Sequence, residues 1–379
     1  MFLERTIQKI VEQSLFQGKV VIIYGARQVG KTTLVKEIQK KFPKDSEYLN
    51  CDEPDVREAL TNKTSTELSS FLGKKKLIIL DEAQRVKNIG LTLKLIVDNF
   101  PEMQIIATGS SSFDLSNEIS EPLTGRKNEF YLFPLSLSEL SGIYSEREID
   151  RIIEQRIIYG MYPEIVESGL SAKEKLKSLA QSYSYKDVLA YQNMKSPEIL
   201  EKLLQALALQ IGNEVSYNEL GALIGVDKNT IASYIQILEK AFIIFRLSPF
   251  SRNIRNELKK LRKIYFYDTG MRNALINNLN PLHLRQDQGA LWENFMISER
   301  IKYNLNSSQD PNVYFWRTRE QQEIDYIEES QGILSGFEFK WKKDTWKIPK
   351  VFLEAYPESS VHLIHRTNYQ SFLGLDKIS

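Results

Sequence analysis

Short apolar runs alternate with amphipathic stretches over the first third of the chain, a rhythm that predicts a parallel α/β sheet. Val20–Tyr24 (VVIIY), Leu77–Leu80 (LIIL) and Gln104–Ser110 read as buried strands, and Glu129–Phe133 reads as the last core strand. Thr32–Lys41 carries its apolar residues at helical spacing, and Asp114–Leu123 reads as a short helix. After about residue 135 the pattern becomes helix upon helix, and 136–192 reads as a helical lid. Farther on, Glu198–Gly212, Tyr217–Gly225 and Asp227–Ala241 read as three helices, the last opened by an acidic cap. Phe242–Phe245 and Lys263–Asp268 read as paired strands. Three helices and a two-stranded ribbon predict a winged helix-turn-helix. The last hundred residues predict a helix over Gly289–Asn304, then strands around Val313–Trp316, Glu323–Asp325 and Gly336–Trp341. The expected divisions are 1–135, 136–196, 197–284 and 285–379.

The chemistry concentrates where the first strand meets the first helix. Gly25-Ala-Arg27-Gln28-Val29-Gly30-Lys31-Thr32 satisfies the phosphate-loop pattern G-x-x-x-x-G-K-[ST] in the strand-to-helix context that pattern needs. Backbone N–H groups of the loop can cradle phosphate, Lys31 can reach the β- and γ-phosphates, and the Thr32 hydroxyl can ligate Mg²⁺. Thr33 follows at the start of the helix. Asp81 and Glu82 end the second apolar strand, where Asp81 would hold Mg²⁺ and Glu82 would polarise the attacking water. Two adjacent acids favour hydrolysis over nucleotide storage. With no Asn-Lys-x-Asp motif to read guanine, the expected nucleotide is ATP. Thr108 and Ser110 put small hydroxyl groups at another strand end, where one could orient water. Arg126 precedes the last core strand and is a candidate guanidinium for the phosphate of its own or a neighbouring subunit, or else a surface salt-bridge residue.

Composition narrows the class. The 379 residues allow two or three domains, and 42% hydrophobic with 26% charged residues is ordinary for a globular protein. The single Cys51 excludes an intrachain disulfide framework and a thiolate zinc site. No apolar run approaches a membrane span, and the expected location is cytoplasmic. A net charge of +1 gives no global attraction to nucleic acid, so any DNA contact must rest on local patches.

The order of elements resembles the AAA+ branch of the phosphate-loop ATPases, and more narrowly a prokaryotic family of AAA-type ATPases with a C-terminal domain of unknown function. The residues that carry the resemblance are GARQVGKTT (Gly25 to Thr33), LDEAQ (Leu80 to Gln84), TGSSS (Thr108 to Ser112), GR (Gly125, Arg126) and GMYPE (Gly160 to Glu164). Ala26 stands where the family usually has proline and Met161 where it has a second glycine. The resemblance implies an Mg²⁺-dependent ATPase with a helical lid. By analogy with related ATPases, Tyr162 and Pro163 are candidates to line the base pocket, with a plain helix-breaking turn as the alternative.

Between Lys228 and Phe266 nine basic residues face two acids, enough to hold phosphates. The presumed recognition helix offers Lys228, Asn229, Thr230, Ser233 and Gln236. A winged helix also serves as a protein-interaction or structural module, so DNA and an unidentified protein both stand as partners. Glu293, Asp325 and Glu338 with Lys340 resemble a PD-(D/E)xK nuclease core, in which the acids bind Mg²⁺ and the lysine stands beside the attacking water. Strand alternation sends Glu338 and Lys340 to one face and the neighbouring aromatics to the other. The resemblance implies a restriction-endonuclease-like α/β domain that cleaves DNA, or whose acids serve only to hold DNA or to complete a network. A ring or dimer is required if Arg126 acts across an interface, and a monomer suffices if it acts within the chain.

Overall fold

The computed structural model describes residues 3–109, 119, 121–189, 197–251, 262–318, 320–342 and 346–375. The predicted helix over Asp114–Leu123 lies mostly outside them, as do Ser110 to Ser112. The chain forms two compact units, one of residues up to Pro134 and one from Leu135 onward, with 186–193 and 240–242 grouped with the first.

The first unit is built on five strands, β1 (Val20–Tyr24), β2 (Ser46–Asn50), β3 (Leu77–Asp81), β4 (Gln104–Gly109) and β5 (Lys127–Tyr131), all parallel in the order β2-β3-β4-β1-β5. Every residue of β1, β3 and β4 is buried, which is why these strands read as unbroken apolar runs. β2 (SEYLN) is only partly buried and has no apolar run, so it is silent in the sequence pattern. Because β4 lies between β1 and β3, the phosphate loop after Tyr24 and the acid pair after Leu80 share one edge of the sheet with Thr108 between them. In a parallel sheet this carboxyl edge is where ligands bind. The helix Lys31–Gln39 follows the loop directly and buries Leu34, Val35 and Ile38.

The second unit combines helices with seven strands: β6 (Glu214–Val215), β7 (Ile244–Pro249), β8 (Arg262–Phe266), β9 (Asn312–Arg317), β10 (Glu323–Ser330), β11 (Ile333–Phe339) and β12 (Ser360–Ile364). Their order is β12-β11-β10-β9-β7-β8-β6. The helices Pro197–Leu209, Tyr217–Ile224 and Lys228–Lys240 lie close to the predicted positions. The ribbon after them is not a free wing. β7 pairs antiparallel with β8 and, on its other edge, parallel with β9 through Ser248 opposite Tyr314 and Pro249 opposite Phe315. The boundary expected at 284/285 therefore divides one continuous sheet. Packing agrees, since Phe250 stacks edge-on against Tyr314 and Tyr356, with ring centroids 5.2 and 5.4 Å apart, at the margin of the Trp316, Ile324, Ile327, Leu334 and Phe352 core. A bulge in β10 between Ile324 and Ile327 adds one residue opposite β9. That bulge brackets Asp325.

Candidate nucleotide site and C-terminal carboxylate cluster

The phosphate loop holds its shape through backbone constraints that only certain residues meet. A Cβ on Gly25 would lie 2.3 Å from the Leu132 carbonyl oxygen, so this position admits only glycine. Gly30 has φ of 100° and Gln28 of 62°, the left-handed turns that point successive N–H groups into a common concavity. The Lys31 ammonium spans the loop, donating to Gly25 O at 2.8 Å and Ala26 O at 3.0 Å. Arg5, missed in the sequence, fastens the loop from outside by donating to Val29 O at 2.7 Å and Phe133 O at 2.6 Å. Nothing in its local sequence marks it, because an arginine near the start of an amphipathic helix reads as surface charge.

Asp81 is the hub of the carboxyl edge. It is 3% exposed and accepts hydrogen bonds from three hydroxyl groups: Thr32 at 2.6 Å, Tyr48 at 2.5 Å, and Thr108. Three donors offset the cost of burying this carboxylate. The Thr108 hydroxyl oxygen also accepts from the Glu82 N–H at 3.1 Å, so one side chain ties both acids to β4. Glu82 sits in a left-handed conformation with φ of 55° and accepts from Gln84 Nε2 at 2.6 Å. Burial, followed by the Asp81 carboxylate, pushes the Tyr48 phenol up, which keeps it a neutral donor. The residues present fit magnesium-nucleotide. Thr32 and Asp81 form an all-oxygen pair of the kind Mg²⁺ takes, beside a glycine cradle and the ammonium of Lys31.

Arg126 stands elsewhere. Parallel pairing sets Lys127 opposite Val20 at the start of β1, whereas the loop follows Tyr24 at its end. At about 3.3 Å per residue the two ends of β1 are ~13 Å apart. Arg126 therefore stands at the opposite end of β1 from the phosphate loop of its own chain, which gives no support to action in cis. Its Nε pairs with Asp98 at 2.7 Å, with 42% of the Arg126 side chain exposed, a surface salt bridge. Tyr162 and Pro163 belong to the second unit. Gly160 ends the helix Glu146–Tyr159 with φ of 86°, and Pro163 opens the next helix. Met161 N–H donates to Asp268 at 2.6 Å, and a Cβ on Gly160 would lie 2.1 Å from the same carboxylate. This turn is anchored within its own unit by Asp268, which also caps the helix Thr269–Leu275.

The structure does bring Glu293, Asp325 and Glu338 together, but with a cation already among them. Lys263 of β8, 1% exposed, pairs with Glu293 at 3.1 Å, with Asp325 at 3.4 Å and with Glu323. Tyr265, two residues along the same strand, donates to Glu293 at 2.5 Å. Phe339 N–H donates to Asp325 at 3.1 Å, and Lys340 pairs with Glu338 at 2.8 Å. Burial, reinforced by Asp325, pushes Glu293 up to about 8 and Glu338 up to about 7, against the pull of the lysines. Among the described residues no three His, Cys, Asp or Glu side chains are arranged to hold a metal ion. Of the three acids expected to bind metal, Glu293 and Asp325 already have an ammonium group against them. A cavity of about 490 Å³ opens beside Glu293, Asp325, Lys340, Trp341 and Lys342.

Comparison with known proteins gives three family matches along the chain. Residues 17–141 match the family model of an AAA domain. Residues 150–282 and 288–374 match two models described as domains of unknown function, DUF8612 and DUF4143. The chain is similar to an uncharacterized protein of Mycobacterium tuberculosis, 28% identical over 345 residues that cover 87% of this chain and 72% of that one. It is also similar to one of Methanocaldococcus jannaschii, 26% identical over 348 residues, covering 85% and 75%. Among solved structures, the Thermotoga maritima RuvB Holliday junction branch migration motor aligns with TM-score 0.30 and 16% identity, over 63% of this chain and 87% of that one. The Pif1 helicase from Candida albicans aligns with TM-score 0.24 and 14% identity over half of each chain.

The basic stretch of the second unit is less available than its count of charges implies. Arg246 is spent on Glu239, with a contact of 2.5 Å, and Lys263 is buried in the carboxylate cluster. Arg252, Arg255, Lys259 and Lys260 lie outside the described residues. On the helix Lys228–Lys240, Asp227 accepts from the Asn229 and Thr230 N–H groups and from the Thr230 hydroxyl, so Thr230 serves the cap. Lys228, Asn229, Ser233 and Gln236 remain exposed. No described helix is long and apolar enough to cross a membrane.

Proposed function

We propose that this protein is an Mg²⁺-dependent ATPase whose turnover is coupled to DNA. The observation that carries the reading is the convergence on one sheet edge of Lys31, Thr32, Asp81, Glu82 and Thr108, with the Thr32 hydroxyl 2.6 Å from Asp81. Lys31 exchanges the loop carbonyls for phosphate oxygens and balances their charge. Thr32 and Asp81 hold the ion, which when bound neutralises charge on the phosphates. Glu82 orients and polarises the attacking water, and Thr108 fixes the spacing of the two acids. Gly25, Arg27, Gln28, Val29, Gly30 and Thr33 complete the phosphate cradle.

Tyr48 enters as a positioning residue. Removing its hydroxyl leaves Asp81 with two donors and a freer carboxylate, so Tyr48→Phe is expected to raise the Mg²⁺ concentration for half-maximal turnover by roughly tenfold, the scale of lost outer-shell partners of metal ligands. The KM for ATP at saturating Mg²⁺ is expected to change little. An unchanged Mg²⁺ requirement would remove Tyr48 from the ion site.

DNA coupling rests on the exposed polar residues Lys228, Asn229, Ser233 and Gln236 of the helix Lys228–Lys240. The test is ATP turnover of the full chain with and without duplex DNA across a salt series. Stimulation that fades as salt rises supports DNA as the partner. Turnover indifferent to DNA favours instead a nucleotide-gated scaffold for a protein partner.

A further inference from the structure

The carboxylate cluster of the second unit is closed around a cation that the chain itself supplies. Lys263 is held by backbone pairing on both sides of β8, with its own residue opposite Leu247 of β7 and Glu214 of β6. Its ammonium lies 5.6 Å from the centre of the Phe315 ring and contacts carboxylates from both the helix Gln288–Asn306 and β10. The neighbouring Tyr265 hydroxyl takes up Glu293 Oε1, the oxygen that Lys263 also contacts. A divalent ion among Glu293, Asp325 and Glu338 would stand within a few ångströms of this buried ammonium. Like-charge repulsion at such a distance in a poorly solvated site weakens ion binding by at least about a hundredfold.

We infer that Lys263 is the resident cation of this cluster, in the place a divalent metal ion would otherwise take, and that the site binds neither Mg²⁺ nor Mn²⁺. Glu293, Glu323 and Asp325 then serve to bind β8 to β10 and to the helix carrying Glu293, joining the strands that follow the helix Lys228–Lys240 to the C-terminal strands in one sheet. Metal-dependent strand cleavage has no ion here. The inference stands apart from the ATPase reading, since it concerns different residues.

The deciding experiment counts Mn²⁺ ions bound to the full chain by electron paramagnetic resonance, without nucleotide. Wild type and Asp325→Asn are expected to bind the same number. Lys263→Met is expected to gain one ion, and the double variant Lys263→Met/Asp325→Asn to lose it again. A wild-type ion that disappears in Asp325→Asn overturns the inference, and so does a folded Lys263→Met that gains none. If Lys263→Met does not fold, the comparison of wild type with Asp325→Asn and with Glu338→Gln decides by itself.

Discussion

Glu82→Gln is expected to lower ATP turnover by about 10²–10⁴-fold, the range that a positioned general base contributes, while nucleotide affinity stays within a few-fold of wild type. The amide has the size and reach of the carboxylate and keeps an oxygen able to accept from Gln84 Nε2, which lies 2.6 Å from Glu82 Oε2. The backbone anchor from the Glu82 N–H to Thr108 is untouched. What disappears is the negative charge that draws a proton from the attacking water. Asp81, with its three hydroxyl donors, keeps the ion site. Steady-state turnover and equilibrium binding of a fluorescent ATP analogue, measured on one preparation, separate the two effects. Turnover within a few-fold of wild type would take Glu82 out of the chemistry, and weakened binding with matching loss of turnover would make it a structural residue. Lys31→Ala is the contrasting case, expected to lose binding and turnover together.

Much of this site was legible because its chemistry is local. The loop Gly25–Thr32, the strand before it and the acid pair after Leu80 each declare themselves within ten residues, through glycine spacing and runs of buried apolar side chains. Strand order is not local. Only the pairing of β4 with both β1 and β3 shows that Thr108 stands between the loop and the acids, and the same pairing sets Arg126 at the far end of β1. Tyr48 escaped notice because β2 is an edge strand with mixed polarity, and Arg5 because its two acceptors are backbone carbonyls 24 and 128 residues away. In the second unit the strand alternation correctly predicted Glu338 and Lys340 on one face, where they meet at 2.8 Å. Lys263 lies within the run Lys259-Lys260-Leu261-Arg262-Lys263, where composition argues for a phosphate-binding surface. Its burial follows from β8 lying between β7 and β6 and from the carboxylates of Glu293 and Asp325, 30 and 62 residues away, contacts no short window of sequence contains.

Lys263→Met should destabilise the second unit by ~3–5 kcal/mol at pH 8, the cost of removing one member of a buried ion pair, and by much less at pH 5. The groups around the vacated position are Glu293 on the long helix and Glu323 and Asp325 on β10, which pair with Lys263, and Tyr265 on β8, which donates to Glu293; beyond them Arg317 on β9 pairs with Glu323, and Glu338 on β11 pairs with Lys340. In the wild type, burial and mutual repulsion already hold Glu293 at about 8 and Glu338 at about 7, above the carboxylate value of 4.5. A folded-state value above the unfolded one means that the native state binds more protons between the two, so stability falls as pH rises through that window. The wild type should therefore lose thermal stability between about pH 4.5 and 8. Without the ammonium, the carboxyl groups rise further and the slope steepens over the same range. Near pH 5 Glu293 is largely protonated in the native state and no longer needs the ammonium, so the deficit of the variant narrows. Thermal unfolding of both proteins from pH 5 to 8 checks this, with Lys263→Arg as the charge-preserving control. A deficit that stayed constant with pH would mean that Lys263 contributes packing alone and that the acids around it do not depend on its charge.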